Sequence, residues 1–223
     1  MRYRILSSGS KGNALFIEEG SLRILIDCGV AYSKVKSVRP HMVFLTHEHA
    51  DHFKSKTIRS LLNDNPLCKV VAGPHLWDKI SETGIDSRRV SIAPPGKVVT
   101  INMGAYTVKA EPLELIHDVP NFGWKLTIES PEETTTMMYA TDTASIDHIE
   151  LPGLDYYFIE ANYEDEEIEK RIAEKVAAGE FAYEYRAREN HLSRAQTDKW
   201  LAENAGENST FIYMHQHGGC CNE

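Results

Sequence analysis

The stretch Phe44-Leu45-Thr46-His47-Glu48-His49-Ala50-Asp51-His52 constrains this chain more than any other. The apolar run Met42 to Leu45 reads as a buried strand that Thr46 closes. Three histidines and two acids then fall within six residues, too polar to bury unless something pairs them. On extended or loop backbone, residues two apart point the same way, so His47 and His49 can offer two imidazoles to one ion. Asp51 and His52 follow at once, which allows a second cation beside the first. The alternative is a solvated polar loop. Four ligand-type residues at fixed spacing on a strand-to-loop junction favour a two-metal site.

With 223 residues, 42% of them hydrophobic, the chain can bury a sizeable core in one domain across residues 1–223. Two domains fit the length, but no Pro/Gly/Ser-rich linker divides it. Met1 to Leu6 is too short and polar for a signal peptide, and no window approaches the roughly 18 apolar residues of a membrane span. Cys28, Cys68, Cys220 and Cys221 lack a secreted disulfide spacing, so a cytoplasmic location is expected. Net charge is −9. The basic residues (Arg88-Arg89, then scattered Arg171, Arg186, Arg188 and Arg194) stand amid acids. That balance disfavours a long polyanionic substrate and suits a small one.

In chain order, Tyr3–Ser7, Ala14–Glu18 and Leu22–Asp27 read as strands joined by hairpin chemistry at Ser8–Asn13 and Glu19–Ser21. The Gly9/Gly12 loop reads as a tight turn in preference to an anion cradle. Asp27 is placed to accept hydrogen bonds from the metal loop, and Cys28 reads as a small buried residue. Helical spacing appears over Ser55–Asn63 and Pro74–Glu82, the latter carrying His75 as a surface or capping residue. Strands are expected near Cys68–Ala72, Arg89–Ile92, Val98–Ile101, Tyr106–Glu111 and Leu113–Ile116. A hairpin is expected from Phe122–Glu129 and Thr136–Tyr139, then a buried strand over Tyr156–Glu160. Glu164–Gly179 reads as a charged helix with Ile168, Ile172 and Val176 on one face. Ser193 is a candidate N-cap for a helix ending at Ala205, and Thr210–Met214 is the last strand.

Each unusual polar residue falls where a strand stops: His47, His117, Asp142, Glu160 and His215. Singly, each would read as structural. Five together, beside the Thr46–His52 loop, point to a site carried on a rigid scaffold.

The stretch Thr46–His52, with His117, Asp142 and His215 downstream, resembles the metallo-β-lactamase superfamily, and within it the phosphodiesterase branch containing ribonuclease Z. The likeness runs from the Ser8–Asn13 turn to His215. It implies an α/β (α+β) fold, a single-domain αββα sandwich with two divalent ions at one edge, Zn2+ first and Mn2+ as the alternative. It assigns His47, His49 and His117 to one ion, Asp51, His52 and His215 to the other, and Asp142 as a bridge. His191-Leu192-Ser193 and Ile159-Glu160-Ala161 resemble segments carrying a non-ligand catalytic histidine and the glutamate that orients it. His191, Glu160 and Asp51 are therefore the catalytic candidates. Asn190 stands where the family commonly has glycine before this histidine. No counterpart is found of the arm with which ribonuclease Z grips transfer RNA.

His117 to Trp124 further resembles phage anti-Pycsar proteins, single-domain enzymes of this fold that destroy cyclic nucleotide signals; the motif also resembles one in related bacterial exonucleases. The resemblance implies a two-metal phosphodiesterase that hydrolyses 3′,5′-cyclic mononucleotides, countering cyclic-nucleotide antiviral signalling in the host cytoplasm. It also implies a homodimer, with Phe181–Arg188 either stacking a base, meeting the partner or forming a surface helix end. Rivals are a metal-dependent nuclease on DNA or RNA and a non-catalytic nucleotide-binding module. His217, Cys220 and Cys221 read as a chain end in preference to a further metal site.

Overall fold

The computed structural model describes residues 1–216, so His217, Cys220 and Cys221 lie outside the described residues. Two six-stranded sheets are each built from one contiguous half of the chain. The first sheet runs β1 (Arg2–Ser7), β2 (Ala14–Glu19), β3 (Leu22–Ile26), β4 (Met42–Leu45), β5 (Lys69–Ala72) and β6 (Val90–Ile92), in sequence order across the sheet. The second runs β7 (Val99–Met103), β8 (Tyr106–Leu115), β9 (Asn121–Glu129), β10 (Thr134–Ala140), β11 (Tyr156–Glu160) and β12 (Thr210–Met214). Hairpins give antiparallel pairs in β1–β3 and β7–β10; crossovers give parallel pairs in β3–β6 and β10–β12.

Because side chains alternate across a strand, each inner strand feeds two cores. Ile24, Ile26, Met42 and Phe44 meet Trp124, Leu126, Met137, Tyr139 and Phe158 between the sheets. Phe44 and Trp124 pack edge to face at 5.2 Å. On the outer face of the first sheet, Leu25, Val43 and Leu45 pack under α2 (Ser55–Asp64) and α3 (Trp77–Glu82) through Ile58, Leu61, Leu62 and Ile80. The one-turn α1 (Tyr32–Val35) adds Val35 to that layer. Across the second sheet, Met138, Ala140, Tyr157 and Ile159 pack against Trp200 and Leu201 of α6 (Arg194–Asn204). The expected αββα layering is the observed one.

Three local expectations change. Tyr106–Glu111 and Leu113–Ile116 are one strand, β8, running through Pro112. The pairing of β7 ends at Val99 with Ala110, so the missing N–H of Pro112 interrupts no ladder on that side. In α4 (Asp165–Ala177) Ile168 and Ile172 are buried but Val176 is 57% exposed; α5 (Glu184–Asn190) covers only the first part of that face. His75 is half-buried, neither a cap nor a free surface residue: its Nε2 lies 2.9 Å from the Thr46 carbonyl and its ring packs on Phe122. Ser193 does cap α6, in a reciprocal pair with Gln196. Among the described residues no helix is long and apolar enough to cross a membrane.

Candidate metal centre

Parallel strands that start together also stop together. In the register of β10, β11 and β12, Ala140 lies beside Ile159 and Glu160 beside Met214. Asp142, Glu160 and His215 therefore emerge at one edge. The end of β4 reaches that edge from the other sheet, where the Thr46 carbonyl accepts the Phe122 N–H at 3.2 Å. Three strand ends there turn sharply: Asp27, Asp142 and His215 have φ of 61°, 60° and 52°. Non-glycine residues held in the left-handed region cost about 1–3 kcal/mol each and cluster at functional sites.

All nine predicted site residues converge. Ligand-type atoms of His47, His49 and His117 lie within 4.8 Å of one another, as do those of Asp51, His52 and His215. The same span holds for His47, His52 and Asp142, so Asp142 touches both groups. It also holds for Asp142, Glu160, His191 and His215. In that last group, however, Glu160 Oε1 is already taken by His191 Nδ1 at 2.6 Å and His215 Nδ1 at 3.0 Å.

The donor set fits a pair of divalent ions. Ligands on one tetrahedral ion with bonds of about 2.0–2.1 Å sit about 3.3–3.4 Å apart; His49 Nδ1 and His117 Nε2 are 3.3 Å apart. His47 Nε2, His215 Nε2 and Asp142 Oδ2 are buried without a hydrogen-bond partner. Asp142 Oδ2 sits 2.8 Å from His52 Nε2 but off hydrogen-bond geometry. Buried polar atoms left unpaired cost about 1–3 kcal/mol each, and cations shared among them would satisfy all three. Imidazole and carboxylate donors suit zinc and manganese alike.

The supporting contacts divide in two. Burial pushes the His47 imidazole far below its ordinary range, and His52 beside it adds to this. Burial also lowers His117, against the opposing pull of Asp142. Both are thus pushed toward the neutral form that binding a metal requires. Around His52, burial acts downward but Asp142 and Asp27 outweigh it and raise the pKa. The Asp27 carboxylate accepts from His52 Nδ1 at 2.6 Å and from the Thr46 N–H and hydroxyl at 3.0 Å. Burial would raise Asp142, yet His215 and His52 hold it well down. His191 sits at the rim with 18% of its side chain exposed. Burial would lower it, but Glu160 raises it. Glu160 is anchored in turn by the Thr143 N–H at 3.0 Å.

Several further contributors lie outside the predicted site residues. Asn13 Nδ2 lies 2.7 Å from His52 Nε2, and the Ser8 hydroxyl accepts the His215 N–H at 2.6 Å. Asn162 donates to the His215 carbonyl at 2.9 Å. One signal was available: Asn13 is a polar residue directly ahead of a fully apolar strand start, and it is completely buried. The Gly9/Gly12 loop is the tight turn expected, with Gly12 N–H bonded to the Gly9 carbonyl at 2.9 Å.

This fold and ligand arrangement define a class. Residues 22–215 match the beta-lactamase superfamily domain, and the chain belongs to that family as a metallo-β-lactamase-fold hydrolase. Exodeoxyribonuclease WalJ of Streptococcus pneumoniae (serotype 2, strain D39) is 23% identical over 236 residues, spanning 96% of this chain and 80% of the relative. The short form of human tRNase Z superposes with a TM-score of 0.66 at 16% identity, covering 96% of this chain and 92% of that one. A diphosphatase from the PhnP family gives 0.63 at 15% identity, over 96% and 85%. At such identities the structural likenesses establish the fold.

Proposed function

We propose that this protein is a two-metal phosphodiesterase that opens 3′,5′-cyclic mononucleotides to linear monophosphates, and so counters cyclic-nucleotide antiviral signalling. His47, His49 and His117 would hold one cation, Asp51, His52 and His215 the other, with Asp142 shared. Bound there, divalent cations would supply Lewis acidity for the attacking water and the phosphoryl oxygens.

The observation that carries the reading is the His191–Glu160 pair, 2.6 Å apart, with His191 Nδ1 3.6 Å from Asp142. Glu160 accepts the Nδ1–H and raises the His191 pKa against the effect of burial, which favours the imidazolium, the form in which Nε2 also carries a proton to give. Water oxygen bonds to phosphorus as its proton passes to the Asp51 carboxylate, the ester bond to the ribose oxygen breaks, and the His191 imidazolium delivers its Nε2 proton to that oxygen. Asp51, with its side chain 25% exposed, faces the same space and orients the water. Glu160 steadies the imidazole through both steps.

A small substrate is favoured by charge. Beside the metal loop and His117, Lys79 is paired with Glu48 and Arg186 with Asp118. A polymer track draws its affinity from cations free to meet successive phosphates. The second reading, a metal-dependent exonuclease, is supported by the similarity to WalJ. The homodimer belongs to the proposal, supported by the exposed Phe181 and Tyr185 and tested by light scattering.

The deciding experiment incubates zinc- or manganese-loaded protein with cyclic CMP, UMP, AMP and GMP, single-stranded DNA and precursor tRNA. Cleavage of cyclic mononucleotides is expected. Cleavage confined to the polymers would replace this reading with the second.

A further inference from the structure

We infer that the β1–β2 turn is a positioning element for one cation alone, the one assigned to Asp51, His52 and His215, acting through Ser8 and Asn13. Both residues precede the segment matched by the family, which begins at residue 22. The inference rests on the two-cation reading above.

The turn grips two of that cation's ligands, Asp51 and His215, through their backbones. The Asp51 carbonyl accepts the Asn13 backbone N–H at 2.6 Å and its side-chain amide at 3.3 Å. The Asn13 amide cannot flip without loss, because its Oδ1 accepts the Gly9 N–H at 2.8 Å and its Nδ2 bonds the Gly9 carbonyl at 3.2 Å. That orientation keeps Nδ2 on the Asp51 carbonyl; its approach to His52 Nε2 meets the lone pair that a cation would take and is no part of the grip. Ser8 secures the second ligand by accepting the backbone N–H of His215, a residue in the left-handed region with φ of 52°.

Backbone packing makes the grip stiff. A Cβ on Gly29 would lie 1.6 Å from the Asp51 carbonyl oxygen, and one on Gly12 would lie 2.4 Å from that of Gly29. The turn, the segment after β3 and the metal loop therefore touch main chain to main chain. Gly29 N–H bonds the Asn13 carbonyl at 3.0 Å, and Cys28 N–H the His52 carbonyl at 2.9 Å. None of the turn's hydrogen bonds described here goes to His47, His49 or His117. Such supporting contacts, when removed, lower metal affinity by about 10–100-fold.

The test is a cobalt titration of the metal-stripped full chain, followed by visible absorption and by isothermal calorimetry, for wild type, Ser8→Ala, Ser8→Thr and Asn13→Ala. Wild type should take two equivalents. Ser8→Ala should weaken one binding event by about 10-fold and Asn13→Ala by up to about 100-fold, leaving the other event unchanged. Ser8→Thr, which keeps the hydroxyl, should restore the weakened event. Circular dichroism identifies any variant that fails to fold, and Ser8→Ala carries the test if Asn13→Ala does not. Equal weakening of both events, or no weakening of either, overturns the inference. A wild type that binds fewer than two equivalents overturns the two-cation reading instead.

Discussion

The two halves of the metal centre are held by different physics. His47 and His117 are kept neutral chiefly by burial, and buried nitrogens of both lack hydrogen-bond partners. Opposite them, His52 and His215 are tied to carboxylates: His52 to Asp27 at 2.6 Å and His215 to Glu160 at 3.0 Å. The first half leans chiefly on burial, with Asp118 at its edge 3.2 Å from His117 Nε2 and 3.5 Å from His49 Nε2; the second rests on a buried network of charged hydrogen bonds. Both kinds of support respond to loss of a group, but removing one member of a buried charged network leaves its partner uncompensated and costs several kcal/mol. The networked half should therefore respond more sharply to substitutions that leave its own ligands intact.

The largest expected effect comes from the residue common to both halves. Asp142→Ala should cut turnover by about 10³-fold or more, equivalent to about 4 kcal/mol, and should lose metal from both sites. Elemental analysis showing full occupancy would refute the bridging role. Next, His191→Ala should lower turnover by about 10²–10⁴-fold while both equivalents of metal remain; unchanged turnover would remove His191 from the chemistry. Glu160→Gln breaks the comparison on purpose, because one carboxylate oxygen serves both His191 and His215. It should reduce turnover and also weaken the networked cation by about 10–100-fold, with the packed cation unaffected. The smallest effect is that of Thr46→Val. Its hydroxyl and N–H both meet Asp27, so urea unfolding should show a loss of about 1–3 kcal/mol.

Much of the arrangement was legible because it is written in local patterns. The apolar run Met42 to Leu45 followed by paired histidines marks a strand that ends at a candidate metal loop. Strand-terminal polar residues at His117, Asp142, Glu160 and His215 marked the edge where the sheets present their site. What escaped reading depends on contacts distant in the chain. Ser8 and His215 are separated by 207 positions, and a serine in a turn looks the same with or without that partner. His75 carried a helical context and gave no hint of the Thr46 carbonyl it meets. Val176 fits the apolar spacing of its helix, but α5 is too short to cover it.

The division of the sheets between contiguous halves has a practical reach. A cut between Ile92 and Val99 leaves one fragment with β1–β6 and the other with β7–β12. His47, His49, Asp51 and His52 then travel apart from His117, Asp142 and His215. Neither piece alone could coordinate as the intact protein does, so recovered cobalt colour on mixing would report docking of the two fragments. Split there, the molecule would act as a reporter whose signal is the ion itself.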